Sequence, residues 1–306
     1  MKIIIFGSGG VGGYFGGRLA ASGEDVHFIA RGAHLDALRS GGLHLNSPLG
    51  DAHVNPVHAT DTVADCGIAD VIIVSVKLYD TDAAADAIRP AVGPGTMIVS
   101  FQNGVSGADI LSKAFGREHV IGGTSSIAAR IEKPGTIEHT GKMATLAFGE
   151  WGGELTPRTQ ALLDACLKAG IDATLSDHID ALIWSKFIFL AAFSGITCTY
   201  RQPIGPIRED SEKRALFRSA LEETYAIARA RGVDLPGDLV DKRMAFTDGL
   251  PAEMSSSMYH DLAAGKRLEL PWLSGAVVDF GHALSIDTPA QQTFVDTLAP
   301  FAEGNG

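Results

Sequence analysis

A lysine, Lys186, stands inside the run ALIWSKFIFLAAFSGITC (residues 181–198), which is otherwise almost wholly apolar. No acidic residue lies one helical turn away on either side. Lysine can lay its carbon stem along apolar surface and lift its ammonium to water. Alternatively, the ammonium is needed inside, beside a substrate, where it can polarise a carbonyl and donate a proton. Apolar surroundings would favour the neutral amine and bring its pKa down towards working pH. The run alone leaves both readings open.

A second constellation lies at the N-terminus. GSGGVG (residues 7–12) fits G-x-G-x-x-G and follows directly on the apolar run KIIIF. In that context Gly7 permits a tight turn, Gly9 lets the backbone approach a pyrophosphate, and Gly12 lets helix and strand pack closely. The N–H groups of Gly7, Ser8, Gly9, Gly10, Val11 and Gly12 then face the phosphates of a dinucleotide at a helix N-terminus. The next strand ends FIARG, with Arg31 where an NAD site usually carries an acid for the ribose hydroxyls. A guanidinium there favours a 2′-phosphate, so NADP(H) is the expected cofactor. Lys77 closes VIIVSVK and Asn103 follows MIVSFQ, both at strand ends, where ligands bind in open α/β sheets.

The elements that must hold these residues are legible in outline. KIIIF (2–6), DVHFIA (25–30), ADVIIVSVK (69–77), TMIVSFQ (96–102) and HVIGGTS (119–125) read as buried strands, with helical patterns between several of them. This alternation predicts right-handed βαβ units and a Rossmann-type, doubly wound parallel sheet. Residues 135–151 read as two short alternating segments and a turn, a hairpin extending the sheet. Beyond about residue 177 the strand signal vanishes. Runs beginning at His178, Arg208, Ala252 and Leu270 all read as helix, the second closed by Gly232. The expected organisation is a dinucleotide-binding domain over 1–177 and an all-helical domain over 178–306.

Composition narrows the function classes. With 25 basic and 36 acidic residues the net charge is −11, which argues against general affinity for nucleic acid or anionic membrane. Three dispersed cysteines suggest neither a disulfide framework nor a metal site, and ten scattered histidines form no ligand set. The apolar run at the N-terminus is too short for a signal peptide, and residues 187–196 are read as too short to span a bilayer. A soluble, cytoplasmic protein is expected, either monomer or homodimer.

Taken in order, GSGGVGG, IAR with Arg31, VSVK with Lys77, QNG with Asn103, GGTSSIAAR, the W-x-K helix, SSM…D…GK-x-x-E and HAL…DTP resemble the ketopantoate reductase (2-dehydropantoate 2-reductase) family over nearly the whole chain. The resemblance implies NADPH-dependent reduction of a 2-oxo acid to a D-type 2-hydroxy acid. It places the catalytic lysine at Lys186 and an active-site glutamate, also near the cofactor, at Glu269. It places a residue contacting both cofactor and substrate at Asn103, cofactor-lining residues at Gly7 to Gly12, Arg31, Lys77 and Ala129, and a substrate-contacting serine at Ser257. The substrate-facing stripe of the catalytic helix, asparagines in the family, is here Leu190 and Ser194; two further family asparagines fall at or near Ile204 and at Met254. These departures predict a less polar pocket. Two rivals to ketopantoate reduction follow: reduction of a bulkier, more apolar 2-oxo acid, and non-catalytic sensing of NADPH.

Overall fold

The computed structural model describes residues 1–305. It divides into two compact units, Met1–Ile179 and the chain from Asp180 onward. The first runs β1 (Lys2–Phe6), α1 (Gly10–Ala21), β2 (Asp25–Ile29), α2 (Gly32–Gly41), β3 (Leu43–Asn46), β4 (Ala52–Val54), β5 (His58–Thr60), β6 (Val71–Val74), α3 (Thr81–Ile88), β7 (Met97–Ser100), α4 (Ser106–Phe115), β8 (Val120–Lys133), β9 (Thr136–Gly149), α5 (Pro157–Lys168) and β10 (Asp172–Leu175). The strands form one sheet in the order β4-β3-β9-β8-β7-β6-β1-β2-β5, with β10 beside β9.

Every neighbouring pair from β5 to β8 is parallel. The reason lies in the strands' apolar runs, which bury both faces. Ile3, Ile5, Val71, Ile73 and Val99 enter one core with Phe15 and Leu19 of α1, whereas Ile4, Phe6, Ile72, Val74 and Ile98 enter another with Ala84 and Ile88 of α3 and Leu111 of α4. Each such side chain stabilises the fold by about 1.5–3 kcal/mol relative to exposure. The chain leaves β1 towards β2 on one side and later returns to β6 on the other. This is the switch point where open α/β sheets bind ligands.

The hairpin differs from expectation. Residues 136–149 are a single strand paired antiparallel with β8, and the turn falls at Pro134–Gly135, where Gly135 has φ +78. Ile127 pairs with Ala144 but Ala128 pairs with Thr140, so residues 141–143 bulge out of register. That bulge imitates a turn in the sequence. Buried His139 secures it: Nε2 donates to the Met143 carbonyl at 3.1 Å, and Nδ1 accepts from the Ser47 hydroxyl at 2.9 Å.

The second unit is helical: α6 (Ile179–Tyr200), α7 (Ile204–Glu209), α8 (Ser211–Ala230), α9 (Leu239–Asp248), α10 (Ser257–Ala263), α11 (Ser274–Leu284) and α12 (Pro289–Leu298). Asp210 caps α8 by accepting from the N–H groups of Glu212 and Lys213, and Gly232 follows its end at φ +85. The helix expected from Ala252 begins only at Ser257. The segment before it is pinned to α7 instead, with Gly205 N–H donating to the Ala252 carbonyl at 2.8 Å and Ile204 N–H to the Met254 carbonyl at 2.9 Å.

α6 also corrects the sequence reading. It is 22 residues, with Lys186 inside rather than ending it, and it is long and apolar enough by composition to cross a membrane. Its apolar surface is nevertheless largely buried within the fold. Phe189 stacks on Phe193 and meets Phe217 and Phe246 edge-on, and Trp184 lies against Phe280. It is a core helix of the second unit.

Candidate active site

The glycine loop joins β1 to α1, and each of its glycines answers to a different constraint. Gly7 has φ +104, a conformation that disfavours a side chain. A Cβ at Gly12 would lie 2.2 Å from the Gly7 carbonyl oxygen and 2.3 Å from Ser75 Oγ, so only glycine lets helix and strand meet. A Cβ at Gly10 would lie 2.1 Å from the carbonyl oxygen of Ala129, which puts Ala129 against the start of α1 through its backbone. A Cβ at Gly9 would meet nothing within 4 Å. The space over Gly9 is therefore open, beside first-turn N–H groups with no capping side chain and no acidic residue in that turn. This is a cradle for an anion, and the residues present fit a dinucleotide pyrophosphate.

Two hydroxyls hold the cradle. Ser8 Oγ donates to the Ile29 carbonyl and Ser75 Oγ to the Gly7 carbonyl, both at 2.8 Å, tying the loop to β2 and β6. The Ser8 hydroxyl is thus turned into the fold, and this residue offers the cradle only its backbone. Val11 is partly buried on the same turn.

Parallel register brings the other strand ends to the same edge. Phe6 pairs with both Ile29 and Val74, and Val74 with Ser100. Arg31, Lys77 and Asn103 therefore follow β2, β6 and β7 at the same carboxyl edge. Arg31 is exposed at the start of α2, and its guanidinium makes no hydrogen bond or ion pair among the described residues. Lys77 and Asn103 are partly buried.

The residue that the sequence reading passed over is Gln102. It is 8% exposed, and its amide donates to the Val76 carbonyl at 3.0 Å and to Thr81 Oγ1 at 2.8 Å, while its carbonyl accepts from Ser100 Oγ at 2.9 Å. This buried network fixes the ends of β6 and β7, and so the backbone from which Lys77 and Asn103 project. A glutamine ending an apolar strand was the available signal.

In the second unit, α6 is buried from Ile183 to Cys198 except at four partly open positions, Ser185, Lys186, Phe189 and Leu190. They form one patch, because residues three and four apart lie together on a helix. Lys186 is half-buried there. Burial brings its ammonium down to a pKa of about 8, and the charge of Glu269 works in the opposite direction. Glu269 is 4% exposed. Its backbone is held on both sides: Leu268 N–H donates to the Ala302 carbonyl at 2.8 Å, and the Glu269 carbonyl accepts from Trp272 and Leu273 at 3.0 and 3.1 Å. The acid absent from the turns flanking Lys186 thus comes from a segment about eighty residues later in the chain. Such an ammonium can donate a proton near neutral pH.

The positions that depart from the family pattern separate. Leu190 shares the open patch with Lys186. Ser194 does not: it is fully buried, and its Oγ has neither accessible surface nor a hydrogen-bond partner. Ile204 is fully buried, Met254 is 36% exposed, and the backbone bond already described joins them. Ser257 is exposed at the start of α10. Its buried neighbour Ser256 caps that helix by accepting from Tyr259 N–H at 3.1 Å and bonds Thr197 Oγ1 of α6 at 3.0 Å, which sets where Ser257 stands.

Comparison with known proteins identifies the family of both units. Residues 3–153 match the family described as Ketopantoate reductase PanE/ApbA, and residues 178–302 match its C-terminal counterpart. A 2-dehydropantoate 2-reductase from Mesorhizobium japonicum is 32% identical over 94% of this chain and 94% of its own. A crystal structure of a PanE/ApbA family ketopantoate reductase from Ralstonia eutropha superposes with a TM-score of 0.91 at 32% identity, covering 99% of this chain and 98% of that one. D-mandelate dehydrogenase in complex with NADH and anilino(oxo)acetate shares the fold, with a TM-score of 0.89 at 22% identity over 99% of this chain and 98% of its own. With both units matched, the chain belongs to the ketopantoate reductase family of oxidoreductases.

Proposed function

We propose that the protein is an NADPH-dependent 2-oxo acid reductase of the cytoplasm, acting on 2-dehydropantoate to give D-pantoate. The observation carrying this reading is Lys186, an ammonium of pKa about 8 in a partly open patch at the middle of α6, under the charge of buried Glu269. A nicotinamide cofactor, when bound, supplies the hydride for the carbonyl carbon. Lys186 polarises the carbonyl oxygen and gives it the proton that neutralises the developing alkoxide. Glu269 keeps the lysine charged and directed. Asn103 orients the substrate and the nicotinamide ribose, and Ser257 holds the substrate carboxylate. Gly7 to Gly12 and Lys77 serve the phosphates, Ala129 lines the cofactor, and Arg31 takes the 2′-phosphate.

A second reading concerns the substrate. Leu190 offers an apolar surface beside Lys186, and the family resemblance puts amides at or near Ile204 and at Met254, which together favour a bulkier, less polar 2-oxo acid. A ketopantoate hydroxyl left without its partner costs about 1–3 kcal/mol. The test is a panel of 2-oxo acids, ketopantoate and aromatic or branched analogues, followed by nicotinamide absorbance with NADPH and with NADH. Highest kcat/KM for ketopantoate supports the first reading, and highest for an apolar acid the second. Tight NADPH binding without turnover of any 2-oxo acid would overturn both in favour of a sensor.

A further inference from the structure

The imidazole of His34, in the first turn of α2, meets two other segments of the first unit. Its Nδ1 accepts a hydrogen bond from Gly135 N–H at 3.1 Å, in the β8–β9 turn. Because Nδ1 accepts, the ring proton sits on Nε2. Nε2 has no accessible surface and no regular hydrogen bond, and it lies against the backbone of Ser8 in the glycine loop. Burial holds the ring below the ordinary histidine value, the Ser8 backbone opposing, so the neutral form is the resident one.

These contacts matter because of what they adjoin. Arg31 lies three residues before His34, on a loop whose backbone is held where Ala30 N–H donates to the Thr60 carbonyl at 3.0 Å but whose own side chains add little: the Arg31 guanidinium has no partner among the described residues, no side chain caps α2, and Gly32 has φ +53. The Gly135 turn is itself well anchored. Its carbonyl accepts from His44 N–H of β3 at 2.9 Å, and a Cβ at Gly135 would lie 3.0 Å from Ala37 Cβ of α2. A fixed hairpin turn therefore grips α2 through His34, and β8 of the same hairpin meets the glycine loop at Gly10 through the Ala129 carbonyl.

We infer that His34 is a positioning residue for the dinucleotide, setting the Arg31 loop relative to the glycine loop through its bond to Gly135. It touches neither substrate nor reacting atoms. The inference rests on the dinucleotide reading of the first unit and goes beyond it by naming what aligns the two halves of that site.

The test compares His34→Ala with His34→Asn, whose side-chain oxygen can stand near the Nδ1 position and accept from Gly135. Dissociation constants for NADPH and for adenosine 2′,5′-bisphosphate are measured by calorimetry on the whole protein, with thermal unfolding as a check on folding. Wild-type protein that binds neither NADPH nor NADH would overturn the dinucleotide reading itself. Given wild-type binding, His34→Ala is expected to weaken both ligands about tenfold, with His34→Asn within about threefold of wild type and kcat little changed in either. Wild-type affinity in His34→Ala would overturn the inference. So would equal losses in the two variants, since ring volume rather than the acceptor would then be responsible.

Discussion

Removing or retuning the Lys186 ammonium tests the chemistry most directly. Burial moves its pKa from 10.5 to about 8, which corresponds to about 3 kcal/mol of differential interaction between its two protonation states. At pH 7.4 such a group is roughly four-fifths ammonium, charged enough to act yet a far stronger acid than free lysine. The rate of ketone reduction is therefore expected to be level below pH 7 and to fall as pH rises through about 8, nearing tenfold per unit above it. Glu269→Gln removes the charge that raises this pKa, so the falling limb moves to lower pH, by about one to three units for a charge roughly 12 to 4 Å away at an effective dielectric near 20. Lys186→Ala should lower kcat by about 10²–10⁴-fold, the usual worth of a positioned general acid, with the NADPH dissociation constant within about twofold. The assay is initial-rate loss of nicotinamide absorbance from pH 6 to 10, with calorimetric titration of NADPH. A flat profile across pH 7 to 9.5 with a chemistry-limited rate, or kcat of Lys186→Ala within tenfold of wild type, would refute the reasoning.

The same lysine bears on stability. Its folded pKa of about 8 lies below the free value of 10.5, so between these values the unfolded chain binds more protons and stability rises with pH. Lys186→Met is accordingly expected to raise the melting temperature at pH 7, by several degrees at most, and to lose this advantage near pH 10.5; a lower melting temperature at pH 7 would count against a buried ammonium. Gly9→Ala has open space for its methyl, whereas Gly12→Ala does not. Gly9→Ala should thus abolish NADPH binding at unchanged melting temperature, while Gly12→Ala should lose about 1–3 kcal/mol of stability as well, a contrast that denaturant unfolding measures. Arg31→Ala should weaken NADPH about tenfold or more while leaving NADH within about threefold, through loss of a charge-assisted pair worth about 1.5–3 kcal/mol; equal losses would remove the 2′-phosphate role. Gln102→Leu leaves the Val76 carbonyl and Thr81 hydroxyl short of a partner, and denaturant unfolding should register a loss of about 1–3 kcal/mol.

Where a residue pattern is set by its immediate neighbours, the sequence was readable. Runs such as Ile3–Phe6 and Val71–Val74 must be buried on both sides, and that is enough to announce parallel strands. Patterns depending on distant partners were not. β3, β4, β5 and β10 are three or four residues each, too short for a periodic signal, and they exist because longer strands offer them an edge. The bulge at 141–143 hid a 14-residue strand behind a turn-like sequence. Ser194 follows Lys186 at helical spacing, yet burial among the neighbouring helices sets it apart from the open patch.

By itself the sequence determined the glycine loop, the basic residue after β2 and the apolar helix bearing one lysine, because each is a local arrangement of residue types whose chemistry travels with it. Only the tertiary structure decided what that lysine is. It brings the charge of Glu269 to bear from a distant segment, leaves Lys186 and Leu190 partly open on an otherwise buried face, and strips enough water from the ammonium to lower its pKa to about 8. Desolvation and the reach of a remote charge depend on packing in three dimensions, and no spacing along the chain encodes them.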